Sequence, residues 1–422
     1  MHHFHYKDGI LHAEGVGLAH LAQTVGTPFY CYSEATLRRH VRVFQEAFEG
    51  ADLLTAFSVK ANSNISILKV LASEGAGADV VSAGELKRAR LAGIDASKIV
   101  FSGVGKTRDE LALGLGEGIH QFNVESENEL IALNDVAISM GTTAPIAFRV
   151  NPNVAAGGHE KISTGKAEDK FGVPWSEAHR LYAKARDLPG IDVKGVDVHI
   201  GSQIASLEPF RLAFEKVADL VRNLRSDGHE ISRVDLGGGL GIPYGEGDEH
   251  LPSPADYGKM IREIADPLDV QLIFEPGRMI AGNAGILVTK VIYRKQGQEG
   301  EFLIVDAAMN DLIRPALYDA FHDIQPVEER YTDDVARPMD VVGPICETGD
   351  RLAKARPLPP FEEGALVAIM SAGAYGAVQA SQYNSRPLIP ETLVTGSDFR
   401  IIRKRPTFEE MIALEADAPS TT

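Results

Sequence analysis

The sequence predicts an α/β protein that consists of a (β/α)₈ barrel of the TIM type and a mainly β C-terminal domain. At 422 residues the chain exceeds a single barrel of about 250 residues, so a second domain is expected. Short apolar runs alternate with helical patterns as far as about Phe274, and strand alternating with helix indicates a parallel sheet. After Gly282 the helical periodicity fades. A doubly wound open sheet is the alternative, because periodicity in one sequence does not show closure.

Eight apolar or β-branched runs are the candidate barrel strands, and eight such units over roughly 230 residues are what a closed barrel requires. Helical spacing of apolar residues separates them, as in Glu127–Met140 and Leu207–Arg225. The candidate strands are Leu53–Val59, Ala78–Val81, Ile99–Ser102, Gln121–Val124, Pro145–Val150, Val196–Ile200, Val234–Leu236 and Val270–Phe274.

The predicted barrel covers residues 28–280, and the predicted β domain combines residues 1–27 with residues 281–422. Runs such as Ile286–Tyr293 and Ala365–Met370 stand between Gly, Pro and charged turns, which is typical of strands. The short apolar runs before Thr27-Pro28 have the same character, so we expect the N-terminal segment to pack with the C-terminal part.

The amino-acid composition excludes several classes of function for this protein. The chain has 42 Lys and Arg against 59 Asp and Glu, a formal charge of −17, which argues against a nucleic-acid partner. No run reaches the ~18 apolar residues that span a bilayer, and the first residues lack the apolar core of a secretion signal. Two cysteines cannot form a disulfide framework, so we expect a cytoplasmic enzyme with neither a membrane nor a nucleic acid as partner.

Lys60 follows the first candidate strand directly, in Phe57–Asn62. In a (β/α)₈ barrel the C-terminal strand ends carry the chemistry. Partial burial there would lower the pKa of the amine, as a lysine that forms a Schiff base needs. A surface lysine that happens to follow a strand is the alternative interpretation.

His199 ends the sixth candidate strand and could stack on an aromatic ligand, act as an acid or base, or bind a metal. A hydrogen-bonded core histidine is the alternative. No neighbouring His, Cys or Asp gives metal-ligand spacing, so we expect no metal.

Two further strand ends suit a phosphate-bearing ring. Gly237–Gly241 could point backbone N–H groups at an anion, although a tight turn would have the same residues. Glu275 could hold a proton on a ring nitrogen, and Arg278 could bind a carboxylate or phosphate with two hydrogen bonds, unless the two only form an ion pair. Together with Lys60 and His199, these residues suit pyridoxal 5′-phosphate (PLP).

The second domain supplies Cys346, between Gly-Pro and several carboxylates. Acidic neighbours would keep it a thiol that can donate a proton, whereas a buried apolar role is the commoner fate of a cysteine. Cys31, in an apolar run, fits that buried role. Arg314 and Tyr318 are spaced to lie on one face of a helical turn.

Eight motifs in order, from about Thr27 to Pro387, resemble the diaminopimelate decarboxylase family of PLP enzymes. That group also holds ornithine and arginine decarboxylases and, more distantly, alanine racemase. The motifs are FSVKAN (57–62), ADVVSAGEL (78–86), HIGSQ (199–203), LGGGLGI (236–242), EPGR (275–278), GPICETGD (343–350), AGAYG (372–376) and YNSRP (383–387). FSVKAN replaces the usual YAVKAN and YNSRP the usual FNxRP, and the phenol of Tyr383 is new.

The resemblance implies a PLP-binding barrel in a homodimer whose active sites lie at the interface, with the cysteine loop contributed by the partner chain. Lys60 would carry PLP as an imine, His199 would stack on its ring, and Glu275 would pair with the pyridine nitrogen. Cys346 would return a proton to the substrate after CO₂ leaves. The residues implied to hold the phosphate and ring are Gly238, Gly239, Glu275, Pro276, Gly277, Arg278 and Tyr375, assisted by Ser202.

The resemblance also implies the substrate, meso-2,6-diaminopimelate, which would lose CO₂ to give L-lysine. Arg278 and Arg314 would bind its distal carboxylate and Glu347 its distal ammonium group, with Tyr318 and Tyr375 closing the contact.

Three alternatives remain: a decarboxylase of another basic amino acid or a carboxylated polyamine, a racemase, and a non-catalytic PLP-binding regulator. The Gly- and Lys-rich stretch 157–172 is a candidate lid.

Overall fold

The computed structural model describes residues 2–155, 170–245, 251–298 and 300–416. The candidate lid at 157–172 lies almost wholly outside the described residues. The chain forms two compact units. One contains the residues up to Leu37, a short piece that begins at Tyr244, and the residues from Ala281 onward. The other contains Arg38–Pro243 and continues to Ile280.

The chain begins with four strands, of which the first three form a small antiparallel sheet. Helix α1 (Leu18–Val25) packs its buried Leu18 and Leu21 into the apolar core of this unit. The strands are β1 (Phe4–Lys7), β2 (Ile10–Ala13), β3 (Val16–Gly17) and β4 (Phe29–Ser33).

The larger unit is a closed barrel of eight parallel strands, which confirms the predicted fold class and excludes the open sheet. Strands pair in the order β5-β6-β7-β8-β9-β11-β12-β13, and β13 pairs with β5 to close the ring. The short β10 pairs only with β9. The strands are β5 (Leu53–Ser58), β6 (Gly77–Val80), β7 (Ile99–Phe101), β8 (Gln121–Val124), β9 (Ala144–Asn151), β10 (Val173–Pro174), β11 (Ile191–Asp197), β12 (Arg233–Asp235) and β13 (Gln271–Phe274).

One predicted strand is placed differently. The sequence predicts Val196–Ile200 as the sixth strand, but β11 ends at Asp197. Val198 still donates its N–H to Asp235 O at 2.9 Å, after which the chain leaves the ladder. His199 therefore lies in the loop that follows the strand rather than at the strand's end.

Helices follow the barrel strands, and side chains that accept backbone N–H groups begin several of them. Ser82, Thr107 and Ser126 are such N-caps, and Thr107 forms a capping box with Glu110. The helices from here to the end of the barrel unit are α2 (Glu34–Glu46), α3 (Ile65–Ser73), α4 (Ala83–Leu91), α5 (Arg108–Glu117), α6 (Glu127–Met140), α7 (Ala178–Arg186), α8 (Glu208–Ser226), α9 (Pro254–Ala265) and α10 (Arg278–Ala281).

The other unit is mainly β, as predicted. Its main sheet has the order β18-β17-β15-β14-β4-β20-β21, and β19 pairs with both β14 and β16. The N-terminal β4 lies between β14 and β20, so the two ends of the chain share one sheet. The strands are β14 (Gly285–Gln296), β15 (Glu301–Val305), β16 (Ile324–Pro326), β17 (Arg337–Val342), β18 (Arg351–Leu358), β19 (Leu366–Ile369), β20 (Glu391–Thr395) and β21 (Asp398–Arg403), with helices α11 (Arg314–Tyr318) and α12 (Phe408–Ala416).

Among the described residues, no helix combines the length and the apolar character that crossing a membrane would need.

Candidate active site

Lys60 lies in a single 3₁₀ turn, Val59–Ala61, immediately after β5. Its Nζ is 3.0 Å from Asp79 Oδ2, and its side chain is 40% exposed. Ser58 Oγ donates to the same Asp79 oxygen at 2.8 Å, which fixes the carboxylate. A neighbouring carboxylate favours the charged form of an amine, whereas the partial burial expected from the sequence favours the neutral form.

Three carboxylates from different parts of the barrel lie together in its interior. Atoms of Asp197, Asp235 and Glu275 lie within 4.8 Å of one another, and all three residues are buried. Burial raises the pKa of Asp235 to about 8, with the Asp197 charge adding to the effect. Burial also raises the pKa values of Asp197 and Glu275 well above the ordinary range. The Glu275 charge adds to the effect on Asp197, and the Asp235 charge adds to the effect on Glu275.

A hydrogen-bond network holds two of these carboxylates. Asn123 Nδ2 donates to Asp235 Oδ2 at 3.0 Å and to Glu275 Oε1 at 3.3 Å. Ser102 Oγ donates to the same Glu275 oxygen at 3.1 Å. The other Asp235 oxygen accepts the N–H of Gly237 at 3.0 Å. Glu275 Oε2 is therefore the oxygen left to carry or share a proton.

The cluster has the ligand types of a metal site, and it is the only such group among the residues that the structure describes. The cluster was not predicted, because Asp235 and Glu275 are far from Asp197 along the chain and residue spacing near His199 does not show them. Carboxylates whose pKa values are raised this far hold protons, and a bound cation would have to displace them.

His199 accepts a hydrogen bond at Nδ1 from the N–H of Gly238, at 3.1 Å. Burial lowers the pKa of the imidazole well below its usual value, and the Arg149 charge adds to this effect. The ring is therefore neutral, with its proton on Nε2.

The glycine loop after β12 requires residues without a side chain. Gly237 and Gly239 have φ of +63° and +113°, which L-residues rarely adopt. A Cβ on Gly238 would lie 2.4 Å from the backbone oxygen of Glu275. The loop thus lies directly against the Glu275 turn and His199.

Residues 275–278 form the turn after β13. The turn contacts the first strand end, because Ser58 N–H donates to Pro276 O at 3.2 Å. Gly277 O accepts the N–H of Ile280 at the start of α10. Arg278 is buried, and its Nη2 donates to Ser202 Oγ at 3.0 Å.

The β unit carries the remaining predicted residues. Arg314 is buried at the start of α11, and Tyr318 ends that helix, where its hydroxyl oxygen lies 3.4 Å from Gln379 Nε2. Tyr375 has a φ of +57°, a strained conformation for a residue other than glycine.

Cys346 is exposed, so it does not have the buried apolar role that was the alternative for it. Asn384 Oδ1 accepts its backbone N–H at 2.8 Å. A hydrogen bond to the Glu347 carboxylate raises the pKa of Tyr383, so the phenol of YNSRP does have a partner. Cys31 is fully buried, and burial raises the pKa of its thiol to about 12.

The barrel thus brings Lys60, His199, Glu275 and the glycine loop close together, with His199 in the loop after its strand. Sequence reasoning missed the residues that support them. Each of these supporting residues is a polar residue in a short, mainly apolar predicted strand, and this pattern could have identified them. They are Asp79, Ser102, Asn123, Asp197 and Asp235.

Comparison with known proteins finds the same family by a family model and by individual relatives. The family "Pyridoxal-dependent decarboxylase, pyridoxal binding domain" matches residues 34–282. Diaminopimelate decarboxylases are similar along their whole length. The relative from Pseudomonas fluorescens is 51% identical, and 99% of each chain is covered. The relative from Vibrio cholerae is 47% identical and covers 99% of this chain and 100% of its own.

Solved structures agree with the sequence relatives. The crystal structure of diaminopimelate decarboxylase from Helicobacter pylori complexed with L-lysine has a TM-score of 0.91 and 42% identity, covering 95% of this chain and all of that chain. The corresponding enzyme from M. jannaschii, also with L-lysine, has a TM-score of 0.92 and 37% identity over 98% and 97% of the two chains.

Proposed function

This chain belongs to the pyridoxal-dependent decarboxylases, in the diaminopimelate decarboxylase family, and we propose on this basis that it acts as follows. It removes one carboxyl group of meso-2,6-diaminopimelate and releases L-lysine and CO₂, the last step of lysine biosynthesis. The observation that carries this function is the convergence of Lys60, His199 and Glu275 at one end of the barrel strands.

The barrel residues suit PLP. The Lys60 amine can hold its aldehyde carbon, the neutral His199 ring can stack on the pyridine, and Glu275 can pair with the ring nitrogen. The glycines of the loop have no side chains, so the cofactor could approach the loop backbone closely. When bound, the cofactor accepts the electron pair that is released when the bond from Cα to the carboxylate breaks. The residues proposed to hold the phosphate and ring are Ser202, Gly238, Gly239, Glu275, Pro276, Gly277, Arg278 and Tyr375.

Glu275 acts through the proton that it holds. Ser102 and Asn123 both donate to Oε1, so this oxygen is an acceptor and a proton belongs on Oε2. Burial and the nearby Asp235 charge raise the pKa of Glu275, which favours the form that holds this proton. The protein therefore keeps one proton ready to share with a ring nitrogen, in an interior from which water is excluded.

Asp79 prepares Lys60 for its role. The amine must lose a proton before it can act as a nucleophile. Asp79 orients Nζ and lies close enough to accept that proton, while Ser58 keeps the carboxylate in place.

The proposed substrate contacts are those that the two charged ends of diaminopimelate require. Arg278 and Arg314 bind the distal carboxylate of the substrate, and Glu347 binds the distal ammonium group. Tyr318 and Tyr375 complete this binding. The two cationic side chains would repel a substrate that has an amine and no carboxylate at this end, which excludes ornithine.

We further propose that the chain works in the cytoplasm as a homodimer whose subunits share their active sites. Cys346 then acts in the active site of the other subunit, where it returns a proton to Cα. Its exposure supports this role, since a thiol that serves another chain must be accessible from outside its own.

A substrate panel tests the function. CO₂ release is measured from meso-diaminopimelate, ornithine, arginine and lysine in parallel, with and without added PLP. We expect release from diaminopimelate alone, and loss of activity when PLP is removed. Equal or faster release from ornithine or arginine would refute the substrate assignment.

A further inference from the structure

Arg314 is held on two sides within the β unit. Its Nη1 donates to Nε2 of His322 at 2.9 Å. Its guanidinium carbon lies 4.7 Å from the ring centre of Tyr244, which is a cation–π contact. Both neighbours are buried, and His322 has no exposed surface.

The hydrogen bonds of His322 determine which nitrogen carries its proton. Arginine is always charged and only donates, so Nε2 of the histidine must accept. Nδ1 lies 2.8 Å from the backbone oxygen of Met370, which follows β19, and so Nδ1 carries the proton. The ring is a neutral bridge between a fixed carbonyl and the arginine.

Tyr244 completes the arrangement, because it contacts both other side chains. Its ring meets the His322 ring edge-on, with the ring centres 5.3 Å apart and the planes at 84°. The plane and the position of the Arg314 guanidinium are therefore both restricted. An arginine that binds a carboxylate with two hydrogen bonds loses less freedom on binding when it is already held in this way.

The neutrality of the bridge has a chemical consequence. A buried arginine is most often paired with a carboxylate, which would cancel its charge and repel a carboxylate ligand. His322 is neutral, so its hydrogen bond orients the arginine without placing a negative charge at that nitrogen.

We propose that His322 is a positioning residue for substrate specificity: through its hydrogen bond it orients Arg314 toward the distal carboxylate of the substrate. This inference rests on the proposed role of Arg314. His322 itself contacts no substrate and takes no part in the chemical step.

A matched pair of substitutions tests the proposal. His322→Asn can keep the hydrogen bond to Met370 but cannot reach Arg314, whereas His322→Gln can place an acceptor where Nε2 was. We expect the Asn variant to raise the KM for diaminopimelate about 10- to 100-fold, as for the loss of a hydrogen bond to a charged group, with kcat within about twofold. The Gln variant should stay within a few-fold of the wild-type KM.

A double-mutant cycle shows whether His322 acts through Arg314. Arg314→Ala should raise KM by more than tenfold, and adding His322→Asn to it should have little further effect. His229→Phe, which removes another buried histidine, should leave KM unchanged.

The possible failures are distinguishable. An unchanged KM in Arg314→Ala would refute the proposed role of Arg314. If Arg314→Ala raises KM but His322→Asn does not, the positioning role of His322 is refuted and the role of Arg314 stands. Additive effects of the two substitutions in the cycle would lead to the same conclusion. A fall in kcat and PLP content in both His322 variants would also refute it, since only a structural role would then remain.

Discussion

Lys60 forms an ion pair with Asp79, and this pair is where the proposed chemistry begins. Lys60→Ala removes the only group proposed to hold PLP covalently. We expect the purified variant to lose the yellow absorbance of the lysine-bound cofactor, and its activity to fall by several orders of magnitude. An unchanged absorbance spectrum with PLP bound would show that another amine holds the cofactor.

Cys346 should affect the reaction and not cofactor binding. Cys346→Ala removes the proposed proton donor of the neighbouring subunit, so we expect turnover to fall at least tenfold while PLP content stays constant. Cys31→Ala serves as the control, because that thiol is buried and its pKa of about 12 keeps it protonated. Wild-type turnover in Cys346→Ala would mean that another group delivers the proton.

Site residues could be predicted from the sequence where they directly follow a strand. Site residues buried inside the barrel could not be predicted in this way. Lys60 and Glu275 follow apolar runs directly, and this position identifies them in the sequence. Asp235 and Asn123 lie inside the cluster because strands distant along the chain converge there. The spacing of residues along one chain cannot show that convergence, so the acidic cluster was not predicted.

The glycine loop after β12 packs too closely against the 275–278 turn to accept a side chain at Gly238. In Gly238→Ala the new Cβ would lie 2.4 Å from the backbone oxygen of Glu275, so the loop and the 275–278 turn must separate. We expect a loss of about 1–3 kcal/mol in the free energy of unfolding, measured by urea denaturation, together with weaker PLP binding.

Gly116→Ala is the matched control for that experiment. Gly116 lies within α5, and a Cβ there meets only Met140 Cε at 3.9 Å. Alanine is the better helix former, so this variant should be at least as stable as the wild type. Equal stability and PLP affinity in Gly238→Ala and Gly116→Ala would contradict the close packing of the loop.

The same part of the barrel shows why one strand boundary was misplaced. Val196–Ile200 alternates apolar residues with Asp197 and His199, and this pattern does not show where strand pairing ends and a buried loop begins. The ladder ends at Asp197, and Gly201 and Gln203, with φ of +154° and +58°, redirect the chain. Only the pairing with β12 determines where the strand stops.

The barrel interior of the molecule buries three carboxylates close together, and burial opposes their ionisation. The folded-state pKa values of Asp197, Asp235 and Glu275 are raised above those of the unfolded chain. Between about pH 4 and pH 8 the folded state therefore binds protons that the unfolded state has released, and stability falls as the pH rises through this window.

Asp235→Asn tests this pH dependence in the cofactor-free protein. The amide cannot ionise, so the variant should lose less stability than the wild type between pH 5 and pH 8. The difference in the free energy of unfolding is at most about 1.4 kcal/mol per pH unit for each proton. Urea denaturation across this range gives the measurement, and parallel curves for the two proteins would show that Asp235 is ionised in both states.

The overall architecture was predictable to the level of strand and helix order. Eight alternating units indicated the barrel, and the loss of helical periodicity indicated the β unit. Barrel closure depends on the pairings β8–β9 and β13–β5, and the placement of β4 depends on partners near the other end of the chain. Such long-range pairings leave no local pattern in the sequence.

Borohydride reduction followed by peptide mapping tests the central claim most directly. Reduction of the PLP-loaded enzyme fixes the cofactor permanently to the lysine that holds it, and mass spectrometry of the peptides identifies that residue. The predicted result is a single modified peptide that carries the label on Lys60. A label on any other lysine, with Lys60 unmodified, would contradict the proposed active site.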